Sequence, residues 1–247
     1  ILIEDITETE ILEAGLTHSE RLASIGRLAA GVAHEIGNPI TGIACLAQTI
    51  RDEFPQSELH DLAEEIIAQT DRTSKILQSL VNFAHAGSND STAAPAVVSI
   101  KECAEEATSL ISLDKKSKDV EFAIHCDGAV KILGDPQRLL QVFINLLNNA
   151  RDASQPNTII TLEAHVREGR VLVTITDQGI GIPDAIRDRI FDPFFTTKEA
   201  GEGTGLGLSL VYSIVEEMEG DIDIISPADN SGGSGTRVVL NFPACSN

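Results

Sequence analysis

His34-Glu35-Ile36-Gly37-Asn38-Pro39 lies inside a heptad repeat in which Leu22, Ala29, Ile36, Ile43 and Ile50 fill one seam position and Ile25, Val32 and Leu46 fill the other. With those residues turned toward a partner helix, His34 falls on the outer face. Asn38, one turn later, shares that face, while Glu35 sits beside the seam within reach of the imidazole. Pro39 takes a seam position, removes a backbone N–H and crowds the carbonyl four residues back, so a kink or loosened turn is expected just past the histidine. A solvated histidine on a helix is a common sight, and only the rest of the chain argues for more.

Working outward, the helix is expected to end near Phe54-Pro55, and Ser57 with Glu58 can start a second whose apolar positions include Leu59, Leu62, Ile66, Ile76 and Leu80. Such a hairpin carries an apolar stripe on each helix and has too few helices to cover both. Pairing with a second copy into a four-helix bundle, and therefore a homodimer, is expected. On the other side, Ile1–Thr7 alternates like a short strand, and Ile11, Leu12 and Leu16 lead as a helix into the Leu22 seam. The chain opens on Ile1 with no charged-then-apolar leader and holds no apolar run able to span a bilayer. It reads as a piece of a larger protein, without direct membrane contact of its own and with any membrane anchor upstream.

The formal net charge of −20 would repel a phosphate backbone and speaks against nucleic acid or an anionic membrane surface as partners. An anionic nucleotide would need local holding by helix N-termini, loop N–H groups and a divalent cation. Cys45, Cys103, Cys126 and Cys245 are scattered without CxxC spacing, which reads as reduced thiols in a cytoplasmic protein.

Ala86–Pro95 is small, polar and aperiodic, and marks a hinge between domains. Beyond it the pattern is mixed. Strands are expected near 97–100, 120–124, 130–133, 158–164, 170–176, 221–225 and 236–242, with helices near 102–113, from Asp135-Pro136 to about 153, and from 206 to about 218.

Three stretches there carry chemistry. Asn145 and Asn149, four apart, project from one helix face, and their neutral oxygens suit a Mg²⁺ that keeps most of its coordination for water and phosphate; an ordinary polar face fits them as well. Asp177-Gln178-Gly179-Ile180-Gly181 places a carboxylate where a strand enters a tight loop. It can accept the exocyclic amine of adenine and reject the carbonyl of guanine, with the two glycines letting backbone approach a planar base; a plain Asp-Gly turn has the same look. Gly201–Leu208 opens a helix with glycine-freed N–H groups suited to phosphate, yet fits neither GxxxxGK[ST] nor GxGxxG. Between the glycine clusters, Phe191, Phe194 and Phe195 sit in a loop expected to act as a lid that docks by its aromatics, and Lys198 is either a phosphate contact or a solvated lysine.

In this order, His34-Glu35-x-x-Asn38-Pro39, Asn145-x-x-x-Asn149, Asp177-x-Gly179-x-Gly181, Phe191-x-Pro193-Phe194-Phe195 and Gly203-x-Gly205-x-Gly207-Leu208 resemble the sensor histidine kinases of two-component signalling, in a PAS-linked, nitrogen-regulator-like form. The resemblance runs from about Glu20 to Phe242. It implies an α+β two-domain fold: an antiparallel helical hairpin dimerising into a four-helix bundle, followed by an α/β-sandwich ATP-binding domain of the kind shared with gyrase and Hsp90. It divides the chain into the end of a PAS-like domain with its signalling helix (1–20), a dimerisation and phosphotransfer domain (21–86), a hinge (87–96) and a catalytic ATP-binding domain (97–247).

The resemblance also implies roles: His34 as phosphoacceptor through Nε2, Glu35 taking the Nδ1 proton, and Asn38 orienting the γ-phosphate or, in dephosphorylation, water. Asn149 would hold Mg²⁺ with Asn145 assisting, Asp177 would read adenine, and Gly179, Gly181, Lys198, Gly203, Thr204, Gly205, Leu206 and Gly207 would line the ATP site. The partner implied is the receiver domain of a response regulator. Where many relatives carry a basic residue three positions after the magnesium asparagine, this chain has Asp152, leaving Arg151, Lys198 or another group to meet phosphate. Two rivals remain. ATPases that resemble this site hydrolyse ATP through a glutamate where this chain has Asn145, and a catalytically dead dimeric scaffold would bind nucleotide only as a structural ligand. A zinc helix of HExxH type is set aside because position 38 is Asn.

Overall fold

In a computed structural model of the chain, the described residues are 36–86, 96–113, 120–198, 203–228 and 234–245. They form two compact units, one holding the helical residues 36–86 with 197–198 and 203–206, the other holding 96–196 and 207–245. The expected terminal strand, the signalling helix, His34, Glu35 and residues 87–95 of the hinge expected at 87–96 lie outside the described residues, while Ala96 opens a strand.

In the first unit, α1 (36–53) runs as helix through Pro39. A proline costs a helix the hydrogen bond to the carbonyl four residues back, here that of residue 35, and α1 is helical from residue 36 onward. Phe54 N–H closes α1 on the Ile50 carbonyl (3.0 Å), Pro55 stops it, and the Ser57 hydroxyl donates to Phe54 O (3.1 Å) across the turn. α2 (Glu58–Ala86) returns from there, and His60 Nδ1 lies 3.2 Å from the Arg51 carbonyl. A carbonyl only accepts, so with its proton on Nδ1 this ring caps the end of α1. Small residues at 47 and 63, both alanine, are buried, whereas Ile43 (46% exposed), Leu46 (68%), Leu62 (55%) and Ile66 (41%) leave the expected apolar stripe open.

The second unit follows the expected order of elements closely. β1 (Ala96–Ser99) and β3 (Lys131–Gly134) form an antiparallel pair. The main sheet runs β2 (Glu121–Cys126), β4 (Ile159–Arg167), β5 (Arg170–Thr176), β7 (Arg237–Pro243), β6 (Asp221–Ile225), with only β2 and β4 parallel. α3 (Ile100–Ser112), α4 (Pro136–Ala153) and α5 (Gly207–Glu217) lie side by side as one layer over the sheet. Each boundary has a chemical cause. The Ser99 side chain caps α3 through Glu102 N–H. Asp135 caps α4, accepting from Gln137 N (2.8 Å) and Arg138 N (3.4 Å), with Pro136 at the first helical position. Phe143 and Leu147 of α4 and Ile160, Ile175, Leu240 and Phe242 of the sheet are fully buried. At about 1.5–3 kcal/mol for each such side chain, this core holds α4 in register with the strand ends.

Candidate nucleotide-binding site

The end of β5 builds the first part of the site. Antiparallel register sets Thr176 opposite Arg237, so Asp177 faces Thr236 one step further. The Asp177 N–H donates to the Thr236 carbonyl (2.9 Å), as a ladder requires, but the returning Thr236 N–H goes to the carboxylate Oδ1 (3.1 Å). Gly179 N–H donates to the same oxygen at 2.8 Å. Asp177 is 6% exposed. Burial pushes its carboxyl above the ordinary range, while bonds from Gly179 N–H, Thr236 N–H and the Thr236 hydroxyl pull it back. A carboxylate offers about four acceptor positions, so capacity remains for one more donor.

The glycines of this loop have a different cause from the one expected. A Cβ on Gly179 would stand 2.6 Å from the Ala153 carbonyl oxygen, and one on Gly181, at φ +76°, would stand 2.9 Å from Ser226 Oγ. Both bare faces therefore point at protein, and they allow the loop to seat on the end of α4, where Ile180 N–H also bonds the Ala153 carbonyl at 3.2 Å.

Along α4 toward its N-terminus come Asn149 and then Asn145, about 6 Å apart along the axis. Asn145 Nδ2 is buried with no hydrogen-bond partner among the described residues, and Asn145 Oδ1 lies 3.5 Å from where a Gly207 Cβ would be. The two ends of an amide are alike in shape, so a half-turn about χ2 presents oxygen in place of nitrogen. No trio of His, Cys, Asp or Glu able to hold a metal occurs among the described residues. The asparagine pair instead fits a divalent cation that draws its other ligands from phosphate and water.

The glycine-rich stretch enters α5 at Gly207. Within it Gly205 takes φ +67°, and Leu206 N–H bonds Thr204 Oγ1 at 3.4 Å. These residues and Lys198, which is half-buried, belong to the helical unit, as does Asn38, which is exposed on α1. Of the phenylalanines in the expected lid loop, Phe191 packs on Tyr212 of α5 (ring centroids 5.5 Å apart) and Phe195 lies 4.7 Å from the Arg189 guanidinium, leaving Phe194 exposed at φ +68°. Arg151 Nε is 3.5 Å from Asp152 Oδ1, so the acidic residue at the unexpected position neutralises its basic neighbour. The described site thus brings together Asn145, Asn149, Asp177, Gly179, Gly181 and Gly207. Thr236, absent from the sequence expectations, joins them through a strand pairing 59 residues distant; its only signal was the Gly235-Thr236 step that opens the last strand.

Two family models match. Residues 134–246 match the histidine kinase-, DNA gyrase B- and HSP90-like ATPase family, and residues 24–89 match the His Kinase A (phospho-acceptor) domain. Among curated relatives, sensor histidine kinase ZraS of Escherichia coli (strain K12) is 33% identical over 95% of this chain and 49% of its own length. Sporulation kinase A of Bacillus subtilis (strain 168) is 31% identical over 98% of this chain and 38% of its own length. The chain thus spans about half the length, or less, of the relatives it matches. Among solved structures, histidine kinase ThkA in complex with response regulator protein TrrA has TM-score 0.62 and 26% identity over 98% of this chain and 69% of that one. Full-length ShkA in complex with AMPPNP shares the fold, with TM-score 0.73 over 90% of this chain and 46% of that one at 24% identity. A phospho-acceptor hairpin followed on one chain by an ATPase module places the chain among the two-component sensor histidine kinases.

Proposed function

We propose that this chain binds Mg²⁺-ATP in its α/β unit, autophosphorylates on His34 and passes the phosphoryl group to an aspartate of a response regulator receiver domain. The observation that carries the nucleotide reading is the buried Asn145 amide without a partner, on the same helix whose C-terminal end seats the Asp177 loop. A magnesium ion held by Asn149 and Asn145 would supply charge neutralisation at the phosphates. The protein's own groups do the rest. Asp177 accepts the adenine amine and turns away guanine, and the Gly207 N–H at the start of α5 offers a donor to a phosphate oxygen with the helix dipole behind it.

At the acceptor, Glu35 takes the Nδ1 proton and leaves the Nε2 lone pair free to attack the γ-phosphorus. The bond to the ADP oxygen breaks as the N–P bond forms. Asn38, exposed on α1 four residues past His34 in sequence, orients the γ-phosphate, and in a separate hydrolysis positions the water that attacks the phosphorylated partner. The open stripe of Ile43, Leu46, Leu62 and Ile66 supports a homodimer through a four-helix bundle. In this proposal the sequence of residues 1–20 fits the end of a PAS-like domain and its signalling helix, ahead of a nitrogen-regulator-like, cytoplasmic kinase portion. Among the described residues no helix is long and apolar enough to cross a membrane.

The test is incubation with γ-labelled ATP and Mg²⁺. Acid-labile, base-stable label that is lost in His34→Gln supports the reading, and acid-stable label or none in the wild-type chain overturns it.

A further inference from the structure

Ser226, which follows β6, lies 49 residues from Asp177 in sequence and is buried at 7% exposure. Its hydroxyl donates to the Gly235 carbonyl (3.0 Å) and accepts from the Ile182 N–H (2.7 Å). One oxygen therefore ties the exit of the Asp177 loop to the residue just before Thr236, whose N–H holds the Asp177 carboxylate. Gly181 makes the reach possible, since any Cβ there would stand 2.9 Å from that hydroxyl. The Arg187 guanidinium bonds the Ser226 carbonyl from the following 3-10 helix (Asp184–Arg189), which fixes the serine backbone from the other side. On the opposite flank Gly235, at φ +106°, packs against the Asp177 carbonyl, 2.4 Å from where its Cβ would be.

We infer that Ser226 is a positioning residue for adenine recognition: its hydroxyl holds the 182 and 235 backbones at the spacing that keeps the Gly179 and Thr236 N–H groups on Asp177. The inference rests on the reading of Asp177 as the base-recognising group. Without the hydroxyl, the partly buried Ile182 N–H and the Gly235 carbonyl lose their common partner, and the two strands of backbone flanking the carboxylate separate. The loss falls on discrimination. A guanine seated as adenine would be presents its C6 carbonyl, an acceptor, to Asp177 and so has no bond there to lose.

The test compares competitive binding of ADP and GDP, with Mg²⁺, to the wild-type chain, Ser226→Ala, Ser226→Thr, Asp177→Asn and the Ser226→Ala/Asp177→Asn double variant, alongside melting temperatures. Expected is an ADP-to-GDP affinity ratio that falls about tenfold in Ser226→Ala, stays at the wild-type value in Ser226→Thr, and falls no further when Ser226→Ala is added to Asp177→Asn. A Ser226→Ala chain that melts lower with its ratio unchanged, or that fails to fold while Ser226→Thr folds, makes the hydroxyl a purely structural group and overturns the inference. Should Asp177→Asn itself leave the ratio unchanged, the parent reading fails; a ratio that falls in Asp177→Asn and not in Ser226→Ala removes the Ser226 inference alone.

Discussion

Replacing Asp177 with Asn separates what this residue does for binding from what it costs the fold. Asn keeps an acceptor oxygen where Oδ1 takes the Gly179 and Thr236 N–H groups, so the loop retains its geometry. What changes is the other end, where an amide nitrogen replaces a carboxylate oxygen and presents a donor to the donor amine of adenine. Losing a charge-assisted hydrogen bond at a desolvated site costs about 1.5–3 kcal/mol, which is roughly a 10- to 150-fold weaker affinity for ADP. Stability moves the other way. Burial raises the folded-state carboxyl above its ordinary value of 3.8, so its contribution to stability is full below 3.8 and is lost as pH rises through the raised value. At neutral pH the wild-type chain bears that loss and the Asn variant does not. The variant is expected to melt at or above the wild-type temperature at pH 7, with the advantage shrinking as pH falls toward 3.8. Calorimetric titration with ADP and thermal melts across that pH range check both halves, and wild-type ADP affinity in the variant would refute the reasoning.

Four further outcomes follow from the same structure. Asn149→Asp adds a negative charge beside the phosphates and is expected to slow autophosphorylation roughly ten- to a hundredfold, measured as initial rate against Mg²⁺ concentration; an unchanged rate counts against the metal assignment. Leu46→Lys places a charge on a leucine that is 68% exposed in one chain and that the proposed four-helix bundle would bury, so about 1.5–3 kcal/mol per copy would be lost and sedimentation should show monomers at micromolar concentration. Gly235→Ala forces a side chain at φ +106° against the Asp177 carbonyl, a strain of about 1–3 kcal/mol that should lower both the melting temperature and ADP affinity. Burial pushes Cys103 up to about 12 and Cys126 up to about 11, so at pH 8 both should resist a thiol reagent until the chain unfolds, while exposed Cys45 reacts at once.

Elements whose signal is local were legible in the sequence. Val171–Thr176 is a run rich in β-branched residues, Asp135-Pro136 is a cap followed by a first-turn proline, and Phe54-Pro55 is a stop, so β5, α4 and the hairpin turn stand where these local signals set them. The placement of Asn145 and Asn149 one turn apart on α4 was legible for the same reason. Contacts made by strand register were not. Thr236 meets Asp177 only because β7 lies beside β5, and Ser226 reaches Ile182 only once β6 has been added to the sheet edge. The glycines show the same division. That Gly179 and Gly181 lack side chains for a reason was readable, but the reason, an Ala153 carbonyl and a Ser226 hydroxyl, is tertiary.

The most direct measurement is the site and atom of the phosphoryl group after incubation with Mg²⁺-ATP, read by nuclear magnetic resonance on a chain labelled with ¹⁵N-histidine. A single phosphorylated ring, at Nε2 and missing from His34→Gln, is the outcome required here. Phosphate on Nδ1, on another of the six histidines or on an oxygen ester would contradict it.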